Sequence, residues 1–173
     1  MIHFLQIFVS VVFFSNKVLV LIGKKTGWLL GAIAAIAGSY YFFLLGLYIY
    51  TVLEIGLIVL MGYGYLIRNK SKKIENFLYF TITAVMVLLI YFSFSERLTI
   101  YEFVSSAGLL FGTYFLTHEK KEFGWILYCI SHLFAMYIGY IKNQIFFADF
   151  QLASAIVSVI GVFIAHKQLR ETK

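Results

Sequence analysis

The sequence has no proline, a single cysteine and few charges, with 13% of its 173 residues being Asp, Glu, Lys or Arg. Without proline, the commonest cause of a sharp helix kink is missing, so glycine has to supply local flexibility. Cys129 lies in an apolar run with no second cysteine to join, which excludes an intramolecular disulfide and reads as a small packing residue. The opening stretch MIHFLQIFVSVVFF lacks both a basic leader and a small-residue cleavage site, so it is expected to stay as a first membrane span. Catalytic signatures are missing too: there is no His-Glu-x-x-His, Gly-x-Ser-x-Gly or phosphate-loop pattern. His3, His118, His132 and His166 are scattered, three of them near span ends. Neither an enzyme, nor a metal or other cofactor, nor an ATP-driven pump is expected.

What the chain has is apolar length. Hydrophobic residues make up 62% and aromatics 20% of it, far outside the soluble range and typical of a polytopic membrane protein. Seven runs approach the length of about 20 residues that a spanning helix needs: 2–22, 27–45, 47–67, 76–94, 100–117, 123–141 and 145–166. The connections are short, so residues 1–173 read as one membrane domain whose first partner is the lipid bilayer.

The net charge of +6 would point to nucleic acid in a soluble protein; here it is an orientation signal, and no nucleic-acid partner is expected. With the N-terminus outside, Lys24, Lys25, Arg68, Lys70, Lys72, Lys73, Lys120, Lys121, Lys167, Arg170 and Lys173 fall inside, against Arg97 and Lys142 outside. Basic residues in short loops favour the cytoplasm, so a plasma (inner) membrane protein with a cytoplasmic C-terminus is expected.

The last two runs carry polar faces. Gln151, Ser154, Ser158, Gly161 and Ala165 recur at steps of three and four, as do Trp125, Tyr128, His132, Ala135 and Gly139. Between them lies a polar turn at Lys142, Asn143 and Gln144. Residues 27–65 match this stretch without a gap at an offset of 97: Gly27-Trp28 falls on Gly124-Trp125, Glu54 on Gln151 and Gly64 on Gly161. Three spans leave the chain on the opposite side, so one extra span is needed for the second unit to repeat the first in parallel. The expected fold is all-α, with seven transmembrane helices in a 3+1+3 arrangement: repeat 1 over 1–67, a linker helix over 76–94 and repeat 2 over 100–166. Parallel repeats of this kind occur in the sugar transporters called SWEETs.

A closer resemblance rests on Ser105, Ser106, Glu122, Trp125, Gln151 and Gly161 within 100–166, and on the GYGYL ending of span three at 62–66. In these the chain resembles the nicotinamide riboside transporter family, PnuC. It departs by having Tyr128 for a second tryptophan, Gly64-Tyr65 for a Gly-Trp pair, no tryptophan after Gly161, and Ser131 and His132 at the next polar positions of span six. The resemblance implies facilitated diffusion of a flat vitamin-like solute such as nicotinamide riboside, thiamine or riboflavin, drawn inward by metabolic trapping.

The residues expected to bind such a solute are Glu54, Trp125, Tyr128, Ser131, His132, Gln151 and Ser158. A carboxylate in hydrocarbon costs about 2.5–3.5 kcal/mol on insertion scales, so Glu54 calls for a reason: a site, with proton coupling left open, or a structural bond, for instance to Gln151. Lys17 reads as a snorkelling side chain near the inner end of span one. The alternatives are a SWEET-like sugar carrier and a non-transporting scaffold that kept the fold. A homo-oligomer is left open.

Overall fold

The computed structural model describes residues 2–66, 72–94 and 100–171. These residues form seven helices and no strand: α1 (Ile2–Leu21), α2 (Thr26–Leu44), α3 (Tyr48–Leu66), α4 (Lys72–Phe94), α5 (Ile100–Thr117), α6 (Lys121–Ile141) and α7 (Ile145–Glu171). Arg68, Lys70, Arg97 and Lys173, used in the orientation count, lie outside the described residues. The seven apolar runs and the seven helices agree closely, except that α4 starts four residues earlier and α7 runs five residues further than expected. Both extensions are polar. A helix need not stop where hydrocarbon ends if nothing breaks it, and Lys167 and Glu171 pair at 3.9 Å across the last turn of α7.

Six of the seven helices are long and apolar enough to cross a membrane. The exception is α5, an 18-residue helix that carries Glu102, Ser105, Ser106, Thr113 and Thr117. Its polar residues are directed inward: Glu102, Ser105, Ser106 and Thr113 are all buried.

Neighbouring contacts run α1–α2–α3–α5–α6–α7 and back from α7 to α1, so six helices close a ring. Outside this ring, α4 touches only α3 and α5. It does so along one stripe, Leu78, Ile82, Val85 and Leu89, at helical spacing. Because lipid tails are as apolar as leucine, helices gain by approaching closely rather than by escaping solvent. Glycine permits that approach here. A Cβ on Gly27 would sit 2.8 Å from the Val20 backbone, one on Gly124 would sit 3.0 Å from the Gly112 carbonyl, and one on Gly108 would strike Ser131.

Two turns place the helices within each half. At the end of α2, the Leu47 amide donates to the Phe42 carbonyl and the Gly46 amide to the Phe43 carbonyl. At the end of α6, the Gln144 amide donates to Gly139 and the Asn143 amide to Tyr140. Each partner in the second pair lies 97 residues after its counterpart. Both are the crossed bonds that close a helix through a left-handed residue, Gly46 at φ 71° and Asn143 at φ 55°. The α1–α2 and α5–α6 connections also share a bond pattern, Lys24 to Leu19 and Lys120 to Phe115, but at an offset of 96. From that bond to the Gly-Trp pair the second half holds one residue more, Lys120 to Gly124 against Lys24 to Gly27.

A side chain at φ 71° is strained by about 1–2 kcal/mol. Gly46→Ala should therefore lower the thermal midpoint in detergent, while Asn143→Gly should hold or raise it. Equal melting of wild type and Gly46→Ala would contradict the turn geometry.

Candidate functional site

Helical spacing gathers polar side chains at the centre of the ring. Tyr50 and Glu54 stand one turn apart on α3, and Tyr128 and His132 one turn apart on α6. With Asn16 and Lys17 of α1 and Gln151 of α7, they line a cavity of about 30 Å³. Holding one water takes about 10–15 Å³, so the space suits one or two waters.

Bonding within the cluster is incomplete. His132 Nδ1 lies 2.6 Å from Gln151 Oε1. An amide oxygen only accepts, so Nδ1 carries the proton and donates, which leaves Nε2 with its lone pair. That Nε2 is buried without a partner, and so is Oε2 of Glu54. Lys17 lies over the rings of Phe13 (5.6 Å) and Tyr128 (5.9 Å). No contact within 4.0 Å joins it to Glu54; among the described residues, such ion pairs sit at the start of α6 and the end of α7, His166–Glu122 and Lys167–Glu171. Thr113 donates its only hydroxyl proton to the Leu109 carbonyl at 2.7 Å, so in the 2.7 Å contact with Tyr128 the tyrosine donates. Asn16 Nδ2 donates to the Gly27 carbonyl at 2.7 Å, tying α1 to α2 beside the cluster.

Towards the Lys24 and Lys121 end lies a vestibule of about 570 Å³, within the range of small-molecule sites. It is bounded by the ends of α1, α3, α5 and α7 and the starts of α2 and α6, and its mouth lies among exposed Ile22, Gly23, Glu119 and Lys121. Its walls include both tryptophans of the chain, Trp28 and Trp125. Each is seated on a glycine of the following helix: a Cβ on Gly64 would lie 2.6 Å from the Trp28 ring, and one on Gly161 would strike Trp125. Trp125 meets Tyr128 edge-on at 5.8 Å, and Tyr128 meets His132 at 5.6 Å, a line of rings from vestibule to cluster.

On the side of the cluster away from the vestibule, the described residues pack rings together. Phe42 packs on Tyr41 (5.2 Å), Tyr50 (5.1 Å) and Phe147 (5.6 Å), all of them buried. Above them the Tyr41 hydroxyl donates to Gln144 Oε1 at 3.0 Å, a bond from α2 to the α6–α7 turn.

Of the seven residues expected to form a site, Glu54, Tyr128, His132 and Gln151 line the central cavity and Trp125 lines the vestibule. Trp125 and Tyr128 are 3% and 4% exposed, so neither belongs to a lipid-facing aromatic belt. Ser131 and Ser158 line neither space: their hydroxyls donate back to the carbonyls of Leu127 (2.6 Å) and Ser154 (2.8 Å) within their own helices. Glu54 Oε2 has no bond to Gln151 or to any other group, and the Gln151 amide oxygen accepts from His132 instead. Lys17 does not snorkel; it is 5% exposed and turned to the centre. A charge one turn inside the end of α1 was the available signal for it. Trp28 was legible only through its match with Trp125. Among the described residues no three His, Cys, Asp or Glu side chains converge as a metal site would need.

Comparison of the chain with protein families, curated proteins and solved structures returns no match.

Removing the acceptor of a buried donor costs about 1–3 kcal/mol, whereas removing both partners costs less. Gln151→Leu should therefore lower thermal stability in detergent by that amount, and adding His132→Phe should recover part of it. Strictly additive losses would show that the 2.6 Å contact carries no coupling.

Proposed function

We propose that this chain is a membrane carrier for a small vitamin- or nucleoside-like solute, built from two parallel three-helix units joined by α4. The observation that carries the reading is the buried polar cluster, with unpaired Glu54 Oε2 and His132 Nε2, lying beneath a vestibule at the Lys121 end of the bundle. Intramembrane polar groups left without partners are costly, and a binding site is the usual reason they persist. The central space suits waters rather than a solute, so the solute has to enter through the vestibule, and the bundle has to rearrange around it.

Support for the 3+1+3 arrangement comes from the paired turns at an offset of 97, the two tryptophan–glycine seats, and contacts in which α1–α7 mirrors α5–α3 while α4 has no counterpart. In this reading α5 crosses the membrane as the seventh span, its polar face turned inward. Lys24, Lys25, Lys120, Lys121 and Lys167 flank the vestibule end, which makes that end cytoplasmic in a plasma membrane, with the N-terminus outside. A reporter fused after residue 173 should then be cytoplasmic and one before residue 1 external; finding both on one side would exclude seven spans.

Nicotinamide riboside is the solute that the resemblance to the PnuC family names, with facilitated diffusion as its mode. Because both tryptophans line the vestibule, intrinsic fluorescence of the purified protein reports on its occupancy. Nicotinamide riboside or thiamine should quench it saturably, and Trp125→Phe should weaken that response by more than half. A saturable response to a hexose alone would favour the sugar-carrier alternative. No response to any of these would favour the scaffold.

A further inference from the structure

Three titratable side chains from three helices, Lys17 of α1, Glu54 of α3 and His132 of α6, open onto one water-sized cavity, and none of them is paired with another. We infer that they form a proton-binding site at the centre of the bundle, and that solute movement through this chain is linked to movement of a proton. The inference rests on the carrier reading and departs from the facilitated diffusion that the resemblance implies.

A purely structural carboxylate would be expected to have its oxygens bonded, since an unmet buried acceptor is costly. Glu54 Oε2 has no partner, and the lone pair on His132 Nε2 is likewise free. Hydrogen bonding to a solute does not require a charge either. The position 97 residues after Glu54 holds Gln151, which accepts a bond without titrating. What a carboxylate adds to an amide of the same shape is an exchangeable proton. Lys17 lines the same cavity and supplies an amine there without a direct ion pair to the carboxyl group.

The groups facing Glu54 are Lys17 from α1, Tyr50 from its own helix, and Tyr128 and His132 from α6. Phe42 of α2, Leu109 of α5, and Phe147 and Gln151 of α7 complete the wall and do not titrate; Glu102 of α5 acts on Tyr50, and α4 does not reach the cavity. Tyr128 spends its proton on Thr113, whereas the Tyr50 hydroxyl has no partner and is the phenol left to share the cavity with Glu54. The step makes and breaks only O–H or N–H bonds. A proton leaves water on one face, adds to the lone pair of Glu54 Oε2 with Nε2 of His132 as its neighbouring acceptor, and returns to water on the other face. One positive charge crosses per cycle in addition to any on the solute.

The test uses the full chain in sealed liposomes with labelled nicotinamide riboside and thiamine as probes, following counterflow and net uptake together. With the outside acidic, wild type should accumulate solute severalfold above equilibrium, and a protonophore should abolish the excess. In Glu54→Gln the ratio of uptake with and without the gradient should fall to one, whatever its absolute rate. Counterflow in wild type together with net uptake that ignores the gradient overturns the proton link and leaves the carrier standing. Absence of counterflow with both probes overturns the carrier reading and the inference with it. A second measurement needs no solute: between about pH 5 and 9, the infrared carboxyl band of wild type should titrate with a component that Glu54→Gln lacks. If Glu54→Gln does not fold, Glu54→Asp should shift that component instead. Identical titration in wild type and variant removes the site.

Discussion

Hydrocarbon offers no hydrogen bonds, so each polar side chain inside the bilayer must find its partner within the bundle or remain unmet at a cost. That constraint orders the whole molecule. It turns the serines, threonine and glutamate of α5 inward, bends the hydroxyls of Ser131 and Ser158 back onto their own helices, and joins His132 to Gln151 across two helices. Among the described residues five buried side-chain atoms stay unmatched, the hydroxyls of Ser10 and Ser106 apart from the cavity and the atoms of Tyr50, Glu54 and His132 gathered on it.

Close approach of the helices is the second condition, because without it the partners would not reach one another. Gly31 and Gly112 illustrate how space is shared. On one side of the ring Asn16 of α1 fills the notch over Gly31 of α2; on the other Tyr128 of α6 fills the notch over Gly112 of α5. The bulk has moved from the first helix of the pair to the second. In one half this brings an amide that holds the α1–α2 contact, and in the other an aromatic ring that links vestibule and cluster.

Much of this was legible in the sequence, and the reasons differ by feature. Apolar length and short polar turns are one-dimensional signals, so the helices and the turns at Gly46 and Asn143 could be placed to within a few residues. Small-residue spacing gave the faces of α6 and α7. Which way a long side chain swings is not in the spacing. Lys17 has a stem long enough to reach the interface or the centre, and only the aromatic surfaces of Phe13 and Tyr128 decide for the centre. The partner of Gln151 was equally hidden: a twofold match pairs it with Glu54 by position, whereas the bond is settled by the His132 ring on the adjacent helix. α5 was expected as an ordinary span because its polar content is modest, yet that content sets it apart from the other six.

The extra residue that the second half holds between Lys120 and Gly124 has a consequence for symmetry. With it, Lys17 of α1 corresponds to Thr113 of α5, so the half that contributes Glu54 also contributes the ammonium, while the other half faces them with a phenol, an imidazole and an amide. The chamber therefore carries its carboxyl group and its amine on one wall and its imidazole on the other. Such a chamber is lopsided like a keyed socket, so that a water held there meets a carboxyl group and an amine on one side and an imidazole and an amide on the other.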